Sequence, residues 1–252
     1  MNRTLSRPSD PQPAVSDRLR QRLEAQLAAR GITSSTPLAQ DAASERSPAL
    51  EAAQSRIPAD YLDAHADDPV VAAWVRALAE SATAPYAADR HAQYGRAGRR
   101  EIRTGPSLLL WGPTGTGKTR QAFGAIRSLT AAGCAVRWHA VKAADLYGQM
   151  RSQNSDTEAV LRHAMRIPLL VLDDLGAAKT TAWNEEVTFR LLAWRGENHL
   201  PTIVTTNLYP VPAPGVAAQQ LLRAAVGDRV LSRLSGMCTA VEITGPDRRY
   251  LR

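Results

Sequence analysis

Two cysteines, Cys134 and Cys238, are all that 252 residues contain. A disulfide framework is therefore excluded as the organising principle, and both are read as small buried hydrophobes, the usual role in a reducing compartment. No run of 18 or more apolar residues occurs, so no membrane-spanning helix is expected. The opening stretch, MNRTLSRPSDPQPAV, carries positive charge but lacks the apolar core of a secretory signal. A cytoplasmic protein is the expectation. Large apolar groups are almost missing from residues 1–15 and 33–56, which are rich in Ser, Pro, Thr, Ala and Gln. Such segments cannot bury enough surface to fold and are expected to be flexible. No internal repeat is visible.

What is present suits one sizeable domain with an extension. The formal charge is +7, which favours phosphate-bearing partners, nucleotide or nucleic acid. An arginine-rich surface accounts for the charge equally well. Within residues 1–56, SDRLRQRLEAQLAARGI spaces Leu19, Leu23 and Leu27 four apart, with Ser16 or Asp17 before them and Gly31 after. This spacing predicts a short amphipathic helix over about 16–31, marginal alone and suited to docking on the body of the chain or on a partner. Residues 57–104 read as a helical lead-in, in which Val71, Trp74, Val75 and Leu78 form one apolar face that needs a surface to cover. Arg90, Arg96, Arg99, Arg100 and Arg103 make a candidate phosphate patch or a solvated face.

From 105 to 252 the pattern alternates. SLLLW, AVRWHAV, PLLVLDD, LPTIVTTN and TAVEI read as strands. Between them lie helices over 118–132, 143–166 (one or two), 183–199 and 217–234. Strands alternating with crossover helices predict an α/β domain, a central parallel sheet covered on both faces in three layers. Trp138 and Trp183 are expected in the core, with a base-stacking platform as the alternative.

Gly112-Pro113-Thr114-Gly115-Thr116-Gly117-Lys118-Thr119 fits G-x-x-x-x-G-K-[ST], with a strand before it and a helix after it. Glycines let the backbone turn its N–H groups around phosphates, and the helix N-terminus adds a favourable field. Lys118 is assigned to the β- and γ-phosphates and the Thr119 hydroxyl to Mg²⁺. The strand LLVLDDLG then ends in acids: Asp173 for Mg²⁺, Asp174 to polarise an attacking water. The interval between the loop helix and this strand leaves room for AVRWHAV. A strand separating the two motifs in space marks the hydrolytic branch of phosphate-loop proteins. A GTPase would want N-K-x-D, which is absent. Asn207, ending IVTTNL, is a candidate for orienting the lytic water, or a turn residue. Arg229 and Arg233 stand four apart on one predicted helix. An arginine so placed can reach a neighbouring subunit's nucleotide.

Together, GPTGTGKT, LLVLDDLGA, IVTTNL, DRVLSRL and the tail VEITGPDRRYLR resemble the bacterial helicase loaders of DnaC type. These belong to the AAA+ ATPases, with the related transposition ATPases of IstB type. The resemblance covers about 105–252. It implies ATP held between adjacent subunits, self-association into a ring or spiral, and single-stranded DNA bound within. It also implies an N-terminal region that grips a hexameric replicative DNA helicase. By the same resemblance Arg233 matches the arginine finger, Asn207 the first sensor, and Arg248 or Arg249 a nucleotide-proximal tail arginine. The expected function is an ATP-hydrolysing helicase loader. The alternatives are an IstB-like ATPase that coats DNA and regulates a transposase, and a small-molecule kinase. The acidic pair and the TTN segment argue against the kinase.

Overall fold

The computed structural model describes residues 55–82, 100–152 and 156–248. The predicted helix over 16–31, the polar stretches around it, most of the arginine patch and Arg249 lie outside the described residues.

The lead-in starts with a 3₁₀ turn, Ala59–Tyr61, followed by helix α1, Pro69–Ser81. The Asp68 carboxylate caps α1 by accepting from the Val70 and Val71 amides, and Pro69 sits where its missing N–H costs nothing. The expected apolar face is real: Val71, Trp74, Val75 and Leu78 are buried. Burying Val71, Trp74 and Leu78 contributes on the order of 6 kcal/mol of transfer free energy, before the entropy of ordering the chain.

The alternating region gives β1 (Arg100–Glu101), β2 (Ser107–Trp111), α2 (Lys118–Ala131), β3 (Cys134–Ala135), β4 (Trp138–Lys142), α3 (Ala143–Arg151), α4 (Thr157–Arg166) and β5 (Leu169–Asp173). α5 (Ala182–Glu197), β6 (Thr202–Thr206), a 3₁₀ turn at Ala218–Gln220, α6 (Leu222–Met237) and β7 (Cys238–Glu242) complete it. Five strands form one parallel sheet in the order β4-β5-β6-β2-β7. The apolar runs that predicted buried strands are buried on both faces. Along β2 and β5, Leu108, Leu110, Leu169 and Val171 face one core with α1 and α2. Leu109, Leu170 and Leu172 face the other, with α3, α4, α5 and α6. The period of two in the strands thus divides the interior into the two cores of a three-layer domain.

Three expectations are corrected. AVRWHAV is not one strand: Cys134–Ala135 pairs with Arg100–Glu101 in a separate two-stranded ladder, and only Trp138 onward enters the main sheet. A strand does separate the phosphate-loop strand from the Asp-Asp strand, but it is β6, and β4 lies at the outer edge. The segment 217–234 is not continuous helix either. Gly227 (φ 81°, ψ 166°) interrupts α6, and a Cβ there would lie 2.5 Å from the Glu185 carboxyl carbon.

Candidate functional site

β2 ends at Trp111, and the loop that follows turns on Gly112, Gly115 and Gly117, whose φ angles are 143°, 84° and 104°. Side-chain-bearing residues rarely adopt these angles, so the glycine spacing read from the sequence has a backbone cause. The loop delivers the chain into α2 at Lys118. The Lys118 ammonium donates to the Gly112 and Pro113 carbonyls (2.9 and 2.7 Å), and the Thr116 hydroxyl donates to Pro113 (3.0 Å). The lysine thus closes the loop on itself while its charge stays at the loop's mouth.

Two strand tips and the first turn of α2 complete the site. The Thr119 hydroxyl, in the first turn of α2, donates to Asp173 Oδ1 at 2.9 Å. Thr205 on β6 donates to the same oxygen at 2.6 Å and accepts from the Asp174 amide at 2.9 Å. Asp174 has a left-handed backbone, φ 58°, a conformation that costs a non-glycine residue on the order of 1 kcal/mol. It is held there from both sides, because Asn207 Nδ2 also donates to Asp174 Oδ1 at 3.0 Å. The structure thus brings Thr119, Asp173, Asp174 and Asn207, all named from the sequence, into one cluster. Sequence reasoning missed Thr205, whose only sequence signal is a hydroxyl one residue inside a strand tip.

These groups open on a cavity of about 530 Å³ lined by Thr114, Gly115, Gly117, Lys118, Thr119, Asp173, Asp174, Asn207 and Arg248 among others. Arg248 arrives from the tail: its amide donates to Gly115 O at 3.0 Å and its side chain packs within 3.2 Å of where a Gly117 Cβ would stand. Asp60, Tyr61, Arg120 and Lys142 also line the cavity, and sequence reasoning had named none of them. The lead-in brings Asp60 and Tyr61 because it is strapped to α2. Arg120 forms a two-pronged ion pair with Asp63 (2.9 and 3.1 Å), which raises the guanidinium pKa and holds the carboxyl below its ordinary value. Arg127 donates to Ala64 O, the Asp68 amide donates to Gln121, and the Tyr61 ring stacks on Phe123 at 4.9 Å. Gly124 permits the approach, since a Cβ there would meet the His65 backbone at 2.3 Å.

Arg229 and Arg233 lie elsewhere. Both approach the Phe189 ring (4.0 and 5.7 Å) and pair with Glu186 and Glu197 on α5. Neither lines the cavity of its own chain. Trp138 is buried as expected, but Trp183 is 36% exposed, contrary to a core position. It starts the outer turn of α5, where Arg151 sits 4.7 Å above its ring. No helix among the described residues is long and apolar enough to cross a membrane.

The oxygen set at the loop mouth, a threonine hydroxyl and a carboxylate joined at 2.9 Å, is the hard-donor pair that a Mg²⁺ ion takes. The residues present fit that ion.

Comparison with known proteins agrees with this geometry. The family described as IstB-like ATP binding protein matches residues 88–251. No curated protein matches. Among solved structures, the DnaC helicase loader is similar at 22% identity over 74% of this chain and 100% of that chain (TM-score 0.55). DnaI is similar at 24% identity over 78% and 99% (TM-score 0.52). A primosome component from Streptococcus pyogenes is similar at 20% identity over 79% and 99% (TM-score 0.53). At these identities the likeness speaks for the fold.

Proposed function

From the premise that this chain belongs to the IstB-like ATP-binding family, an AAA+ ATPase of the DnaC/IstB type, we propose that it hydrolyses ATP and loads a replicative hexameric helicase onto single-stranded DNA. The observation that carries hydrolysis is the clamp on Asp174. An acidic side chain is fixed in a left-handed backbone beside the loop, by Thr205 on its amide and Asn207 on its carboxylate.

In this reading Gly112 to Gly117 present backbone N–H groups to the phosphates and Lys118 neutralises the β- and γ-phosphate oxygens. Thr119 and Asp173 hold Mg²⁺, whose charge, when bound, offsets that of the β- and γ-phosphates. Arg248 flanks the phosphates from the tail. Asp174 accepts a hydrogen bond and then a proton from water as its oxygen bonds to the γ-phosphorus, and Asn207 keeps the carboxylate aimed. The bond from the γ-phosphorus to the bridging oxygen breaks, leaving ADP and phosphate. Arg233 acts on the nucleotide of a neighbouring copy, which suits its distance from its own cavity. ATP would thereby join copies in a ring or spiral around the DNA.

Two substitutions test these roles. Arg233→Ala should leave nucleotide affinity within about twofold and lower turnover at saturating protein by on the order of 10³; normal turnover removes the role. Lys118→Ala should weaken ATP binding strongly, and unchanged affinity refutes the phosphate assignment. For the client, full-length chain with ATP and Mg²⁺ should capture the cognate hexameric helicase. The long polar extension with its predicted amphipathic helix favours this reading. Family membership favours a second one, an IstB-like ATPase that coats duplex DNA for a transposase. Failure to capture helicase, together with ATP-dependent coating of duplex DNA, would select it.

A further inference from the structure

Beyond Asp173, on the side away from the phosphate loop, the sheet ends in Lys142. It closes β4, the outer strand, and is the register partner of Asp173. Its side chain is exposed and lines the same cavity as Lys118, Thr119 and Asp174. The chain holds three lysines, Lys118, Lys142 and Lys179, and arginine supplies every other permanently charged cation among its side chains. Two of the three therefore face one cavity.

No ion pair involves Lys142 among the described residues, although Asp173 and Asp174 share its cavity. Nor does its side chain cap α3, which it precedes. The fold gives this ammonium no visible structural task.

The order of the tips bears on which part of a nucleotide it would meet. From the phosphate loop on β2 the sheet steps to β6 with Thr205 and Asn207, then to β5 with Asp173, then to β4 with Lys142. Neighbouring strands are about 4.8 Å apart. A triphosphate whose metal sat at Thr119 and Asp173 would bring its terminal phosphate to the β5 tip, one strand from Lys142. A lysine is a compact, mobile charge with three rotating donors, suited to phosphate oxygens that carry no fixed plane.

We propose that Lys142 is a cation for the γ-phosphate, supplied by the same chain as the phosphate loop, by which the site distinguishes ATP from ADP. This rests on the ATP-binding reading above. One charge-assisted hydrogen bond to a phosphate oxygen amounts to roughly a tenfold to hundredfold difference in affinity.

The test is equilibrium binding of a non-hydrolysable ATP analogue and of ADP, each with Mg²⁺, to the dilute full chain and to Lys142→Met, Lys142→Arg and Lys118→Ala. Lys142→Met should weaken the ATP analogue at least tenfold and ADP less than twofold. Lys142→Arg should recover most of the loss, and both should melt with the wild type because the side chain is exposed. Equal losses for the two nucleotides, or none for either, overturn the inference while leaving the ATP site intact. Wild-type chain that binds neither nucleotide, indistinguishable from Lys118→Ala, overturns the ATP reading and this inference with it.

Discussion

Replacing Thr205 with valine removes one oxygen and almost no volume, yet it cuts the link between the two aspartates. The hydroxyl donates to the Asp173 carboxylate at 2.6 Å and accepts from the Asp174 amide at 2.9 Å, and Thr205 is 2% exposed. A hydrogen bond to a charged acceptor contributes about 1.5–3 kcal/mol, and an orphaned amide costs about 1–3 kcal/mol more. Part of this is recovered through the added methyl group and through relaxation of Asp174 out of its left-handed backbone. Valine and threonine are both good strand formers, so the backbone preference nearly cancels. The expected net loss is about 3 kcal/mol, a Tm lower by roughly 6–12 °C for a domain of this size. Turnover should fall at least about tenfold, because Asp174 loses the amide anchor that aims it. ADP affinity should hold within about twofold, since the phosphate loop is untouched. Thermal melts, steady-state phosphate release and ADP binding measure the three effects. Thr205→Ser keeps the hydroxyl and should behave nearly as wild type, less about 1 kcal/mol for the lost methyl. Valine melting within 1 kcal/mol of wild type, or serine failing as badly as valine, would refute the reasoning.

Arg195 is fully buried and donates to the carbonyls of Ala164, Met165, Ile167, Pro168 and Pro201 and to the Thr202 hydroxyl, tying the end of α4 to the start of β6. Burial lowers its pKa to about 9, so it remains charged at neutral pH. Arg195→Met should cost at least about 4 kcal/mol by orphaning these acceptors, and a loss below 2 kcal/mol in urea titrations would contradict it. Gly227→Ala should cost about 1–3 kcal/mol, because φ 81° is strained for any side chain and the Cβ meets Glu185; an unchanged melt would show that α6 straightens freely. Burial lowers the His139 pKa, with His163 and Arg56 lowering it further. The unfolded chain therefore takes up a proton below pH 6.5 that the folded chain resists, and stability falls as pH drops through that window. His139→Gln should flatten this acid limb between pH 7.5 and 5.5, and an undiminished slope would assign the limb to other groups.

The loop, the acid-tipped strand and Asn207 were legible because their chemistry demands particular residues at fixed spacing next to elements of evident period. Thr205 was not, because threonine inside a strand is an ordinary β-former whatever its hydroxyl touches. Lys142 follows a segment that read as one strand but is split between two ladders. Asp60 and Tyr61 reach the cavity because Asp63 pairs with Arg120 and Tyr61 stacks on Phe123, each about sixty residues away, and local pattern does not encode such pairings. Arg195 read as one more surface arginine, since helical spacing does not reveal that five carbonyls converge on it. Trp183 carried the size of a core residue, but its place at the first turn of α5 lets Arg151 shield it in place of the interior.

The strap of the lead-in over α2 also sets where this molecule can be cut. The family match begins at residue 88, yet Ile57, Val71, Trp74 and Leu78 share one apolar core with Phe123, Ile126 and Leu129. A recombinant fragment cloned at the matched boundary would open that core and leave the outer side of the phosphate-loop helix wet and adhesive. Any grafting of this ATPase into another chain has to carry residues 57–82 along or provide a substitute cover. The segment recognisable by descent is smaller than the segment that closes its own core.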